Sequence, residues 1–313
     1  MINMSISLTK IGTGKYSDVF RVQKDDDIFA MKISYYREET VAEFSNKMSA
    51  GDVKGAKLAK DRDAISVSCN FSKITEDFRT KGITPHFIRV FESRDVKNFV
   101  EKIPDMQKRI THLSPFQKKY NHVVFMEIFE SDMTSFLTES DCDEDLLRMF
   151  IFQIVFTIAA AQKKLPGWRH NDLSTNNVLV KKTDKEVATK YTCGGKSFYT
   201  KMNHFVSITD YDFVHVPSVR RLENHRVLSG DFKVSGSSNV SYDTHFFLKS
   251  VLKCLSKRHS KGKSTRDFFK RLDLKTDDRY PEEIPSLNPM VVLQDEYFEP
   301  MTKKIRTDLE FTF

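Results

Sequence analysis

The sequence predicts an α+β chain of two lobes, a small antiparallel β-sheet region followed by a mainly helical one, and three observations carry that reading. Before about residue 128 the apolar residues fall in short alternating runs. Beyond Phe129 they recur at helical spacing over long stretches. The 313 residues, 39% of them hydrophobic and 30% charged, are enough for two cores without disulfides or metal. The boundary is set at 1–126 for the N-terminal lobe and 127–313 for the C-terminal lobe.

From Ser5 to about Ser34, Ile6, Leu8, Ile11, Val19, Phe20 and Val22 flank a glycine-bearing turn, and a charged turn at Lys24 to Asp27 leads into Ile28 to Ile33, so an antiparallel meander is expected. Helices are expected over Glu38 to Met48 and Ala64 to Thr80, separated by a polar segment rich in Lys, Gly and Asp. Strands follow at Phe87 to Phe91 and Val123 to Ile128. In the second lobe the pattern predicts helices at Thr134 to Leu137 and at Asp143 to Lys163, the latter started by Asp143, Glu144 and Asp145, whose charges suit a helix N-terminus. Two short strands, Val178 to Val180 and Phe205 to Ile208, flank a polar insert in which Gly194 and Gly195 suit a hairpin turn. Val216 to Ser241 reads as a surface loop, and Tyr242 to Leu255 as a helix.

Composition narrows the setting. Twenty-six Phe supply much of the core, while 11 Gly and 9 Pro exclude a collagenous or linker-dominated chain. Cys69, Cys142, Cys193 and Cys254 stand far apart with no CxxC pair, which predicts reduced thiols. The longest apolar run, Phe150 to Ala161, falls short of the ~20 residues a bilayer span needs and predicts a buried helix. With no basic, apolar leader pattern in Met1 to Thr9, an intracellular setting is expected.

Four segments carry chemistry. Gly12-Thr13-Gly14-Lys15-Tyr16-Ser17 is a glycine turn between strands whose backbone N–H groups suit phosphates; its place before a strand excludes the dinucleotide fingerprint and the Walker A loop. Phe29-Ala30-Met31-Lys32-Ile33 puts a lysine in an apolar strand, where it either reaches water at an edge or meets a carboxylate or phosphate. Arg169-His170-Asn171-Asp172-Leu173-Ser174-Thr175-Asn176-Asn177 follows a buried helix and enters a strand. In phosphoryl transfer an aspartate at Asp172 accepts the acceptor hydroxyl's proton and an amide at Asn177 helps hold magnesium; His170 is expected to be structural. Asp210, after the strand ending at Ile208, would complete a magnesium site of hard oxygen ligands, with Asp212 as the competitor.

Glycine turn, strand lysine, His-x-Asp-x-x-x-x-Asn loop and strand-end Asp occur in the order seen in the protein kinase superfamily, which the chain resembles over about residues 8 to 255. The short helical tail, the insert before Asp210 and Tyr242-Asp243-Thr244-His245-Phe246-Phe247-Leu248 look most like the divergent serine/threonine kinases of large DNA viruses, the poxvirus type. The resemblance implies a two-lobed kinase-like fold and transfer of the γ-phosphate of ATP, with magnesium, to Ser or Thr hydroxyls of proteins. It implies that Asp172 is the catalytic base, that Asn177 and Asp210 hold the metal and that Lys32 holds the α- and β-phosphates. Gly12 and Gly14 would cover the nucleotide, Val19 and Ala30 would roof the adenine, and Met126, Glu127 and Phe129 would line the hinge. Asp243 would brace the catalytic loop. For the carboxylate that pairs with Lys32, Glu43 is chosen over Glu76.

Asn171 replaces the usual arginine, Ser174 the usual lysine and Asp212 the usual glycine, and no Ala-Pro-Glu triplet follows. These departures imply activation without loop phosphorylation and unusual peptide docking. They also keep a rival open, a choline- or aminoglycoside-type small-molecule kinase. A third reading is a pseudokinase that binds partners without turnover, whose expected loss of lysine, base or metal residues is not met, since Lys32, Asp172, Asn177 and Asp210 are all present. The basic cluster Lys257 to Lys263, extended by Arg266, Lys270 and Arg271, is either a solvated helix and loop or a dock for acidic protein substrates, nucleic acid or anionic membrane. It lacks the aromatic interleaving of specific nucleic-acid readout. On the resemblance, the expected location is the host cytoplasm or nucleus, or the virion.

Overall fold

The computed structural model describes residues 6–14, 16–102, 115–139, 142–217, 219–230, 234, 236–256 and 262–313. Lys15 and the basic residues 257–261 therefore lie outside the described residues. The chain forms two compact units, one from 1–73 with 88–128 and the other from 74–87 with 129–313.

In the first unit, β1 (Ile6–Thr13), β2 (Ser17–Lys24) and β3 (Asp27–Tyr35) form the expected meander, and α1 (Glu38–Ser49) and α2 (Val53–Asp61) follow; α3 (Ala64–Thr80) begins in this unit and ends in the other. With β4 (Val90–Lys97) and β5 (Tyr120–Met126) the strands make a five-stranded antiparallel sheet in the order β1-β2-β3-β5-β4. Alternate residues Phe20, Val22, Met31, Ile33 and Val123 bury one face of it. Helix α2 was expected to be a polar connection. Asp52 starts it by accepting the Gly55 N–H at 2.8 Å, and a Cβ on Gly55 would lie 1.9 Å from that carboxylate, so glycine makes the cap fit.

Strand β4 was expected at 87–91. It instead runs along the sheet edge with charged Glu92, Arg94, Asp95 and Lys97, the composition that protects an open edge but hides a strand from an alternation search. Phe87 belongs to the second unit, where it bridges to Ile208.

The second unit contains β6 (Ser131–Asp132), α4 (Met133–Glu139) and α5 (Glu144–Lys164), then β7 (Val178–Cys193), β8 (Lys196–Ile208), α6 (Tyr242–Ser256), α7 (Lys263–Arg271) and β9 (Leu309–Thr312). Asp143 caps α5 by accepting the Leu146 N–H at 2.7 Å, and from Leu146 to Ala161 every side chain is buried. A helix apolar on all sides needs partners on all sides. Phe152 meets Tyr191, Phe198 and Phe298, and Phe156 meets Phe313 at 4.8 Å between ring centroids. Among the described residues no helix is long and apolar enough to cross a membrane.

Strands β7 and β8 are one long antiparallel hairpin, not two short strands about an insert, and they close through Gly194 and Gly195 at φ 55° and 78°. Two central residues with positive φ make the turn whose twist matches the strands. The outer part of this hairpin alternates Lys, Thr and Glu, which reads as insert. The tail is not helical throughout either, because β9 adds to β7 in parallel.

His86 lies under this hairpin. Its Nδ1–H donates to the Val206 carbonyl at 2.8 Å and its Nε2 accepts from the Tyr191 hydroxyl at 2.8 Å. Burial pushes its pKa down to about 3, against the Val206 bond, with Arg79 adding to the fall. A pKa below the unfolded value gives stability that is present above about pH 6.5 and lost as pH falls toward 3, with a slope of up to ~1.4 kcal/mol per pH unit. Thermal melts taken from pH 7 to pH 4.5 are expected to show a falling Tm. His86→Gln should flatten that part of the curve, and an unchanged slope would remove His86 as its source.

Candidate active site

Helix α5 delivers the chain to a loop fixed at its backbone. Arg169 and His215 exchange both N–H···O bonds at 3.0 Å, and the next two residues are held by one buried carboxylate. Asp243, on α6 and 0% exposed, accepts the His170 N–H at 2.7 Å and the Asn171 N–H at 2.9 Å. Burial raises the pKa of Asp243, while His170, Arg169 and the two N–H donors pull the other way. His170 donates from Nε2 to the Thr209 carbonyl at 2.9 Å and is fully buried, as expected of a structural residue.

Asn171 sits at φ 65°, a left-handed conformation that Asn tolerates better than most residues, and its amide donates to the Phe213 carbonyl at 2.9 Å. The residue that replaces an arginine therefore ties this loop to the segment after Asp210. Asp210 is left-handed too, at φ 61° and ψ 71°. Two non-glycine residues with positive φ in adjoining segments mark a backbone held in shape by its surroundings.

Asp172 and Asn177 converge. The Asn177 Nδ2 donates to the Asp172 carbonyl at 2.7 Å and to its Oδ2 at 3.2 Å, across a turn closed by Asn177 N–H to the Ser174 carbonyl at 2.9 Å. Thr209 N–H donates to the Asn177 carbonyl at 3.0 Å, and Val178 pairs with Ile208. Asp210 thus follows directly on a residue bonded to Asn177. With Nδ2 committed to Asp172, the Oδ1 of Asn177 is the amide's remaining acceptor, and it and the Asp210 carboxylate are hard oxygen groups of the type that could hold magnesium. Among the described residues no three His, Cys, Asp or Glu groups form a metal cage.

Arg279 is a residue the sequence did not point to. One guanidinium nitrogen donates to the Asp172 Oδ1 at 2.5 Å, and another to the Asn171 carbonyl at 2.6 Å, while Phe246 lies 4.9 Å beneath. Nothing in its surroundings, Asp277-Asp278-Arg279-Tyr280, signals a partner a hundred residues away.

Of the remaining nucleotide-binding candidates, all but Phe129 lie in the first unit. Lys32 lies opposite Val19 on β2 and Val124 on β5, and Ala30 lies opposite Met126, which is 7% exposed. Gly12 pairs with Val19, and Gly14 closes its turn by donating to the Ser17 carbonyl at 2.7 Å. The Glu127 N–H donates to the Arg89 carbonyl at 3.0 Å while its Oε1 accepts the Arg89 N–H at 2.8 Å. Phe129, which belongs to the second unit, has the Lys181 ammonium 4.9 Å from its ring centre.

Glu43 requires a correction. It is exposed on α1, a helix that buries no side chain, and its carboxylate pairs with Lys47 at 2.8 Å. A helix pattern without a buried face cannot aim a carboxylate inward. Glu76 on α3, the other candidate, lies 3.7 Å from Arg79.

The family model described as poxvirus serine/threonine protein kinase matches residues 117–291, more than half of the chain, and so takes in Asp172, Asn177, Asp210, Asp243 and Arg279.

The chain belongs to that family.

Two relatives from Acanthamoeba polyphaga mimivirus carry the name "putative serine/threonine-protein kinase". One is 23% identical over 281 residues, covering 80% of this chain and 56% of the relative; the other is 36% identical over 69 residues, covering 21% and 17%. The chain thus spans about half the length of the first and less of the second. The α+β, two-lobed kinase-like fold class expected from the sequence is that of the family, and this poxvirus-type kinase chain carries its antiparallel sheet in the N-terminal region.

Proposed function

We propose that this kinase-family chain transfers the γ-phosphate of ATP to Ser or Thr hydroxyls of proteins, with Asp172 as the base. The observation that carries the reading is the Asp172–Asn177 bond beside the strand end that leads to Asp210, braced from behind by Asp243. A carboxylate to take the hydroxyl proton and an amide oxygen lie in one loop, and the Asp210 carboxylate follows the residue that bonds that loop at Asn177. Asn177 and Asp210 would hold magnesium, which when bound neutralises charge on the phosphates.

The residues of the chain supply position and protons. Asp172 keeps one carboxylate oxygen on Asn177 and the other on Arg279, so an incoming hydroxyl exchanges with the guanidinium for the second oxygen. Arg279 thereby brings a fixed cation to a loop in which Ser174 stands where such kinases carry lysine, a cation suited to phosphate oxygens. In the first unit the register places Lys32 beside Val19, and Ala30 beside Met126, an amine next to an apolar surface, which suits a nucleotide's phosphates and base.

Labelled ATP offered with casein, a basic protein, choline and an aminoglycoside tests the reading. Label on protein Ser or Thr is expected. Label on choline or the aminoglycoside alone would give the function to the small-molecule rival, and nucleotide binding with no transfer would give it to the pseudokinase. Asp210→Asn is expected to lower magnesium-dependent nucleotide affinity by about tenfold or more, read by titration with and without magnesium. Unchanged affinity would move the ligand role to Asp212.

A further inference from the structure

The first unit contains a second reactive constellation, unrelated to the loop of Asp172. Cys69 on α3 has its sulfur 2.8 Å from Nε2 of His122 on β5, and the Nδ1–H of His122 donates to Oδ1 of Asp95 on β4 at 2.8 Å. Nucleophile, base and orienting carboxylate come from three elements and meet in the order that activates a thiol. Asp95 is itself held, accepting from the Tyr36 hydroxyl at 2.7 Å and from Lys60 Nζ at 2.9 Å. A carboxylate with its oxygens fixed this way sets the plane and the tautomer of the imidazole.

We propose that Cys69 is a nucleophilic thiol and a modification site for peroxides.

Imidazole and sulfur share one proton. With Nδ1–H on Asp95, Nε2 of His122 is the atom that faces the sulfur and can take the thiol's proton as the thiol attacks, the geometry of a base beside its nucleophile. The groups facing His122 are Asp95, Cys69 and, through Asp95, Lys60 and Tyr36, with Asp63 nearby on Tyr36. His122 is pushed up to about 9: burial pulls it down, and the bonds to Asp95 and Cys69 outweigh that. Buried His86, His215 and His245 all shift the opposite way.

Access also separates this thiol. Cys193 and Cys254 are buried and burial pushes Cys193 up to about 11, whereas Cys69 is partly open. Asp95 also lines a cavity of about 390 Å³ with Tyr36, Lys60, Tyr120 and Asn121. The cavity thus reaches the carboxylate end of the relay, at Asp95 and its partners Tyr36 and Lys60.

In the step, the thiolate attacks one peroxide oxygen, an S–O bond forms and the O–O bond breaks. Sulfur loses two electrons to the peroxide, and the departing hydroxide takes the Nε2 proton of His122 to leave as water. The products are the sulfenic acid, water and neutral imidazole.

The test compares thiols within one native protein. At pH 6.5, iodoacetamide followed by peptide mapping is expected to label Cys69 about tenfold or more faster than partly exposed Cys142. Hydrogen peroxide followed by dimedone should tag the Cys69 peptide first. In His122→Gln, with folding checked by circular dichroism, the rate should drop at pH 6.5 and rise with pH as for an ordinary thiol; Asp95→Asn serves if that variant does not fold. Equal rates for Cys69 and Cys142 in the native protein, or an unchanged pH profile in the folded variant, would overturn the proposal. Neither readout involves phosphate transfer, so it stands or falls apart from the kinase reading.

Discussion

Asp172→Ala is expected to lower the rate of phosphate transfer by about 10²–10⁴-fold while leaving the fold intact, the usual range for loss of a positioned base. The side chain of Asp172 is 30% exposed, and its partners are the amide of Asn177 and the partly exposed Arg279, so truncation strands no buried charge. Single-turnover transfer measured beside a thermal melt checks both halves. Undiminished turnover would refute the assignment of the base, and a large fall in Tm would mean the effect came through folding.

Asp243→Ala is expected to act on both quantities together. Its carboxylate is the acceptor for two buried N–H groups, and removing it leaves both unsatisfied at about 1–3 kcal/mol each, so a loss of about 2–6 kcal/mol is expected by denaturant unfolding. Transfer should fall as well, because Asp172 directly follows Asn171, whose left-handed backbone that carboxylate holds. A variant with native stability and native turnover would show that the bridge at Arg169 and His215 suffices to hold the loop.

The parts of this fold legible in the sequence are those where local pattern and tertiary demand agree. The meander reads from alternation because its inner face is buried, and α3 was bounded at 64–80 because its periodic apolar residues lie between polar segments. Asp172 and Asn177, five residues apart in the sequence, are bonded to each other, and Asp210 follows Thr209, which bonds to Asn177. Where the two demands part, the reading fails. The edge strand β4 carries charge at half of its eight positions, and the outer half of the β7–β8 hairpin is polar on its open side. Glu43 had the right residue type on a helix with no buried face. Arg279 reaches Asp172 only through tertiary structure, and no spacing rule addresses a contact between residues 172 and 279.

The parallel pairing of β9 with β7 has a consequence for how the molecule is made. Thr189 pairs with Leu309, and Ala188 donates to the Asp308 carboxylate across 120 residues, with Phe311 and Phe313 packed on Tyr191 and Phe156. On the ribosome, the hairpin and the long helix emerge well before the segment that covers them. During that interval aromatic surface and a strand edge stay uncovered, and a nascent chain in that condition is a natural client for chaperones.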